Sequence, residues 1–223
     1  MPHLPTILRR FSHISRWSCL TILLAATFPV LVAAEPQVAE PPATRAVKNT
    51  IADLIRVLDD DSLKLPEQAE ERRHEIEEII RQRVDYEEMA KRALGAPWAT
   101  ISAREQQEFV SLFVQLLRDT FAGRITEHHD EQVAYLGEQR EDAFAEVRAQ
   151  VKGRKIDTMI NFRLINQGKD WRVYDVVIDG ASIVSNYRSQ FTSIIREVKY
   201  VGLVKKMKQR AIAVKVFENS STP

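Results

Sequence analysis

Cysteine is nearly absent from this chain. The single one, Cys19, lies inside the N-terminal apolar run "CLTILLAATFPVLVAA", with no Leu-Ala-Gly type lipobox ahead of it. Arg9, Arg10 and Arg16 precede the run, and Val32 and Ala34 stand as small residues before Glu35, which is the order of a secretory signal. The run is shorter than the roughly 20 apolar residues of a spanning helix, and Pro29 interrupts it. Residues 1–34 are therefore expected to form a leader cleaved after Ala34. The mature chain would have no cysteine, which excludes a disulfide framework and thiol chemistry.

Net charge is also lacking. The formal value is +1, and loss of the three leader arginines leaves about −2. Sequence-independent nucleic-acid binding needs a basic footprint, so no nucleic-acid partner is expected.

Catalytic and metal motifs are incomplete wherever they begin. "GASIV" puts Ser182 between a strand and a helix, where a nucleophile elbow would sit, but Val184 replaces the second glycine. The competing reading makes Ser182 the cap of the following helix. His128 and His129 in "TEHHDEQ" are adjacent, so they cannot share a helix face and point oppositely on a strand; a solvated connector is expected there. In "HEIEE", residues 74–78, Glu78 stands where a zincin needs its second histidine. Asp59, Asp60 and Asp61 lack the spacing and glycine of a calcium loop and are expected to end a helix. The basic stretch "KKMKQRAIAVK" fits either a solvated helix end or contact with an anionic surface. No catalytic residue, metal or cofactor is expected.

What the chain does have is apolar periodicity. After a Pro-rich linker, residues 35–43, helical spacing places Val47, Ile51, Leu54, Ile55 and Leu58 on one face. A second helix is expected from Pro66, with Ile76, Ile79 and Ile80 as its thin stripe among many charges. Asp85 with Glu88, and Ser102 with Glu105, have capping-box spacing, and Gly95 supplies a stop between them. The helix after Ser102 has an unusually broad apolar face that includes Phe109, Leu112, Phe113, Leu116, Leu117 and Phe121.

From about residue 132 the period becomes two. Four strands are expected, "QVAYLGEQ", "AFAEVRAQVKG", "KIDTMINFRLINQG" and "DWRVYDVVIDG", with turn signals at Gly137–Glu138, Gly153 and Asn166–Gly168. The links are too short for parallel crossovers, so the sheet is an antiparallel meander. Ala145, Val147, Ala149 and Val151 share one face, opposite Glu146, Arg148 and Gln150, and the helices must cover the apolar side. "SIVSNYRSQFTSIIREV" returns to helical spacing, and a short helix over about 201–210 follows. The fold class is α+β, with an apolar cleft between helices and sheet, or a core packed solid on itself.

"DYEEMAKRALGAPWATISAREQQEFVSLFVQLLRDTFAGRI" and "DWRVYDVVIDGASIVSNYRSQF" resemble the MlaC family, also called toluene-tolerance auxiliary proteins. Trp171, Tyr174, Asp175, Gly180, Ser182, Asn186, Tyr187, Arg188 and Phe191 stand in the family's usual order, and the likeness covers about residues 44–210. One departure is "KYVGL", where a single Gly202 stands in place of a frequent glycine pair. The resemblance implies a periplasmic phospholipid carrier with a nuclear-transport-factor-like sheet, serving an inner-membrane lipid ABC transporter and an outer-membrane lipoprotein complex. It implies a monomeric lipid-binding domain over 44–210 and a tail over 211–223.

On that implication the cleft is expected to be lined by Trp98, Phe109, Phe113 and Leu116 from the helices. Val147, Ile160, Phe162 and Val173 would come from the sheet, and Tyr187, Phe191 and Ile195 from the long C-terminal helix. A one-residue change of register would exchange Val173 for Tyr174 and Val176. Arg188 would either meet a lipid phosphate or pair with Asp175 or Asp179 at the strand-to-helix corner. Other readings stay open at this stage: a carrier of another lipid such as a hopanoid, a ligand-free adaptor, or an esterase using Ser182.

Overall fold

The structure, a computed structural model, describes residues 40–127, 132–153, 156–168, 170–210 and 212. The leader with its cleavage site, most of the Pro-rich linker, the His128–His129 pair and the tail beyond Ile212 lie outside the described residues. Helices α1 (Pro42–Asp59), α2 (Ala69–Arg83), α3 (Tyr86–Leu94) and α4 (Ala103–Glu127) precede a sheet of β1 (Gln132–Glu141), β2 (Phe144–Lys152), β3 (Thr158–Gln167), β4 (Asp170–Ile178) and β5 (Ala181–Ser182), and α5 (Ile183–Lys208) follows. The strands pair antiparallel in sequence order, so the meander expected from the short links is present, with the two-residue β5 added at its end.

Local chemistry explains most boundaries. Ser102 and Glu105 form a complete capping box: the Ser102 amide donates to Glu105 Oε2 at 2.8 Å and the Glu105 amide to Ser102 Oγ at 3.3 Å. Asp85 caps α3 by accepting from the Glu88 amide at 2.9 Å, while its own amide donates to the Val173 carbonyl at 2.9 Å. The second bond ties the α2–α3 junction to the edge of β4, where Val84 also bridges Val173. Gly95 stops α3 at φ 72°, a backbone region open to glycine. Asp60 ends α1 by accepting from the amide and hydroxyl of Ser62, which hold its carboxyl below the usual carboxylate range.

Two expectations need correction. Gly137 does not close the first strand. It sits beside a bulge, with Leu136 unpaired and half exposed, and β1 runs on to Glu141 before turning at Asp142 with φ 49°. Glu138 is likewise no turn residue. Its Oε2 accepts from the Thr44 amide at 2.7 Å and the Thr44 hydroxyl at 2.9 Å, so a carboxylate from the sheet caps the positive end of α1. Nothing in the local sequence pairs residues 44 and 138; the sheet brings them together.

Three apolar clusters result. Ala43 and Val47 from α1 pack on Ala145, Val147, Leu164 and Trp171 of the sheet. Farther along, Val57 and Leu58 of α1 meet Leu63 and Ile76, joining α1 to α2. The largest cluster unites α3, α4 and α5 around Phe109, Phe113, Tyr187 and Phe191, all of them fully buried. Lys199, at φ 62° and ψ 176°, breaks α5, and the segment beyond it sends Leu203 and Met207 back into this cluster. Gly202 is required at that break, because a Cβ there would lie 2.5 Å from Val198.

Candidate functional site

A cavity of about 780 Å³ opens between the sheet and the helices. Leu54 of α1, Ile76 and Ile80 of α2, Met89 of α3, and Val114, Leu117 and Phe121 of α4 line it, with Phe162, Val173, Val176 and Ile178 as its sheet wall. Helix α2 covers this space while burying only Ile76, since most of its other residues are charged or polar. A thin apolar stripe on a charged helix suits a cover over an apolar hollow.

The sheet wall depends on one irregularity. Residues 173, 176 and 178 cannot share a face of a regular strand, because side chains alternate. The pairing slips between Arg163 and Leu164: Arg163 opposes Asp175 and Leu164 opposes Val173, leaving Tyr174 extra. That bulge turns Val173, Val176 and Ile178 toward the cavity. Tyr174 meets Phe144 instead, with centroids 5.9 Å apart, and the Arg92 guanidinium lies 4.2 Å from its ring centroid. The alternative between Val173 and Val176 therefore resolves into both.

Of the expected cleft residues, Phe162 and Val173 line the cavity. The four rings Phe109, Phe113, Tyr187 and Phe191 pack on one another, with the Phe113–Tyr187 centroids 5.2 Å apart and Phe109–Phe191 5.7 Å apart. They are solid core beside the cavity, because each ring's neighbours are the other rings. Leu116 and Trp98 pack against that cluster, and the Trp98 carbonyl accepts from Gln106 at 3.0 Å. Val147 is buried under α1, while Ile160 is half-buried on β3 opposite Ile178. Ile195 and Arg188 line a separate hollow of about 460 Å³ beside Leu94 and Pro97.

Arg188 pairs with neither Asp175 nor Asp179. Its Nε donates to the Arg92 carbonyl at 2.6 Å, a bond from α5 to the end of α3. Asp175 is already engaged: it is buried and accepts from Arg163, from the Ser182 hydroxyl at 2.7 Å and from the Val184 amide at 3.1 Å. Asp179 accepts from the Met159 amide. Ser182 caps α5, accepting from the Ser185 amide at 3.0 Å while donating to Asp175. Its hydroxyl proton thus points at a buried carboxylate and not at an imidazole base.

The polar groups at the cavity are mostly arginine and glutamate from α2. Arg73 and Arg118 both reach Glu77 Oε1, at 3.0 and 3.1 Å, joining α2 to α4 across the opening. Burial pushes the Tyr86 phenol up; Arg118 pulls it down and Glu77 pushes it up again, so this ring senses the same charges. Among the described residues no group of His, Cys, Asp and Glu is placed to hold a metal ion, and no helix is long and apolar enough to cross a membrane.

Val114 and Ile178 were not among the expected cleft residues, Val176 was expected only as the alternative to Val173, and Ile76 and Ile80 only as a packing stripe. The local signal for these residues is ordinary aliphatic periodicity, which a packed core and a lined hollow share.

Relatives put this geometry in a family. An Intermembrane phospholipid transport system binding protein MlaC from Haemophilus influenzae (strain ATCC 51907 / DSM 11121 / KW20 / Rd) is 24% identical over 134 residues, 57% of this chain and 63% of its own. The chain thus spans less than two thirds of that relative's length. A solved structure of a phospholipid-binding protein from Ralstonia solanacearum, in complex with a phospholipid, is similar with a TM-score of 0.69 at 24% identity. That match covers 76% of this chain and 97% of the other, and it shows a shared fold. The family described as MlaC protein matches residues 48–209, most of the chain. With its helices covering an antiparallel meander, this chain belongs to the MlaC family.

Proposed function

We propose that this chain is a periplasmic phospholipid carrier that holds acyl chains in the cavity beneath α2 and moves lipid between membrane complexes. The observation that carries this reading is the cavity itself: about 780 Å³, walled by aliphatic and aromatic side chains from sheet and helices, with the charged groups coming from α2 and from Arg118 of α4. At about 30 Å³ per methylene, the share of a water molecule in the liquid, that is room on the order of 25 methylenes. Two acyl chains hold roughly 30, and exposing them to water costs on the order of 20 kcal/mol. Unassisted passage between membranes is therefore negligible, and an apolar hollow of that size answers the need without any catalytic group. The Haemophilus relative, a phospholipid transport system binding protein, and the Ralstonia structure, in complex with a phospholipid, support the same reading.

The partners in this reading are an inner-membrane lipid ABC transporter and an outer-membrane lipoprotein complex. Release follows only if a docked partner changes the relative affinities, since a ligand moves by differential binding between states. The leader ends at Ala34, and residues 44–210 form the working domain.

The experiment is extraction and mass spectrometry of the protein purified from a bacterial periplasm. About one phospholipid per chain is expected; a folded protein that is consistently lipid-free refutes the carrier, and a different lipid class reassigns the cargo. Val114→Trp, which fills the cavity from α4, is expected to remove most of the bound lipid while leaving the circular dichroism spectrum unchanged.

A further inference from the structure

The cavity's charge is uneven. Five arginines line it (Arg72, Arg73, Arg81, Arg83 and Arg118), against three glutamates (Glu70, Glu77 and Glu78). Glu78 is engaged with Arg81 at 2.7 Å and Glu70 with Arg73, while Arg72 and Arg83 take no carboxylate partner among the described residues. Arg118 and Arg73 differ from the rest, because they approach from two helices and converge on one oxygen, Glu77 Oε1. The three side chains are partly exposed, 44% for Arg118, 49% for Arg73 and 27% for Glu77, so they stand at the opening and not in the apolar depth.

We propose that Arg118 and Arg73 are a binding site for the phosphate ester of the cargo, and that Glu77 occupies it as an internal counter-anion until lipid enters. This rests on the carrier reading. Two guanidiniums aimed at a single carboxylate oxygen present donors that suit a tetrahedral phosphate oxyanion equally well. A phosphodiester arriving with its acyl chains in the cavity displaces Glu77 from Arg118. Since Arg118–Glu77 is the ion pair joining α4 to α2, the exchange also frees the covering helix as the cargo enters. The site selects for phosphate over an uncharged head on the same acyl chains. Burying an unpaired phosphate would be costly, so its place at the half-exposed rim fits the chemistry.

The competing role for Glu77 is a staple that merely holds α2 closed. Uptake of phosphatidylglycerol and of diacylglycerol with the same acyl chains, by lipid-stripped mature protein, separates the two roles. The wild type is expected to prefer the phospholipid by about tenfold, the worth of one charge-assisted contact. Arg118→Gln should bring that ratio near one by weakening phospholipid alone. Glu77→Gln should raise phospholipid affinity several-fold with diacylglycerol unmoved, and diacylglycerol uptake in each variant reports that the cavity is intact. An unchanged ratio in Arg118→Gln, or an equal loss of both lipids in Glu77→Gln, overturns the phosphate site. So does a preference that vanishes in millimolar inorganic phosphate, which would assign the arginines to the free ion. A wild type that takes both lipids equally overturns the phosphate site alone. One that takes neither overturns the carrier reading and this inference with it.

Discussion

The aromatic cluster around Phe113 and the cavity beneath α2 lie side by side, and both are built from α4. Along that helix Phe109, Phe113 and Leu117 are buried against α3 and α5, whereas Val114 and Phe121 turn partly toward the hollow and Leu117 touches both. The difference between the two regions lies in what faces each. Opposite the rings stands α5, supplying Tyr187 and Phe191 at centroid distances of 5.2 to 6.1 Å, close enough for edge-to-face packing. Opposite Val114 and Phe121 stands α2, a charged helix that buries one residue. An apolar face becomes core where its partner brings bulk, and becomes a binding surface where its partner does not.

Several substitutions test that contrast. Phe113→Ala removes a fully buried ring and should cost about 3–5 kcal/mol in denaturant unfolding, the largest effect anticipated. A cost below about 1 kcal/mol would mean the ring faces empty space after all. Ser182→Ala, at the corner that fixes α5 against the rings, should cost about 1 kcal/mol by loss of the cap. Lipid content should be unaltered; a variant that folds as well as wild type yet loses lipid would restore a direct role for the hydroxyl. Ile80→Ala, on the cavity side, should cost less than about 1 kcal/mol, because its neighbours already border open volume. The subtlest contrast is in titration. Burial pushes the Tyr187 phenol up to about 12, despite the Thr120 hydroxyl 3.1 Å away, and also raises Tyr200 to about 12. A raised folded value means that the stability tied to these phenols is fully present below the unfolded tyrosine pKa of about 10 and is lost as pH climbs toward 12. Tyrosinate absorbance near 295 nm should show two rings lagging the others; a single transition at the ordinary value would show the cluster to be open.

Much of the fold could be read from local chemistry, and particular residues show where that stops. Asp85, Gly95, Ser102 with Glu105, and Ser182 act within a few positions of themselves, so their roles as caps and stops were legible. The alternation of Ala145, Val147 and Ala149 likewise announced a sheet covered on one face, and all three are buried. Glu138 was misread because its partner, Thr44, lies 94 positions away. Arg188 does not pair with Asp175 because Arg163 and Ser182 already hold that carboxylate, and the bulge at Tyr174 depends on a register that no single strand specifies.

The sequence by itself determined the elements, their caps, the antiparallel order of the strands and the abundance of apolar faces, since each follows from periodicity and from contacts within one turn. Only the tertiary structure decided which of those faces meet. Hydrophobic burial has no direction, so Phe113 and Val114, adjacent on one helix, carry the same message in sequence. One became core against Tyr187 and the other part of a lined hollow, because the bulge in β4 and the charged cover of α2 divided the space between them.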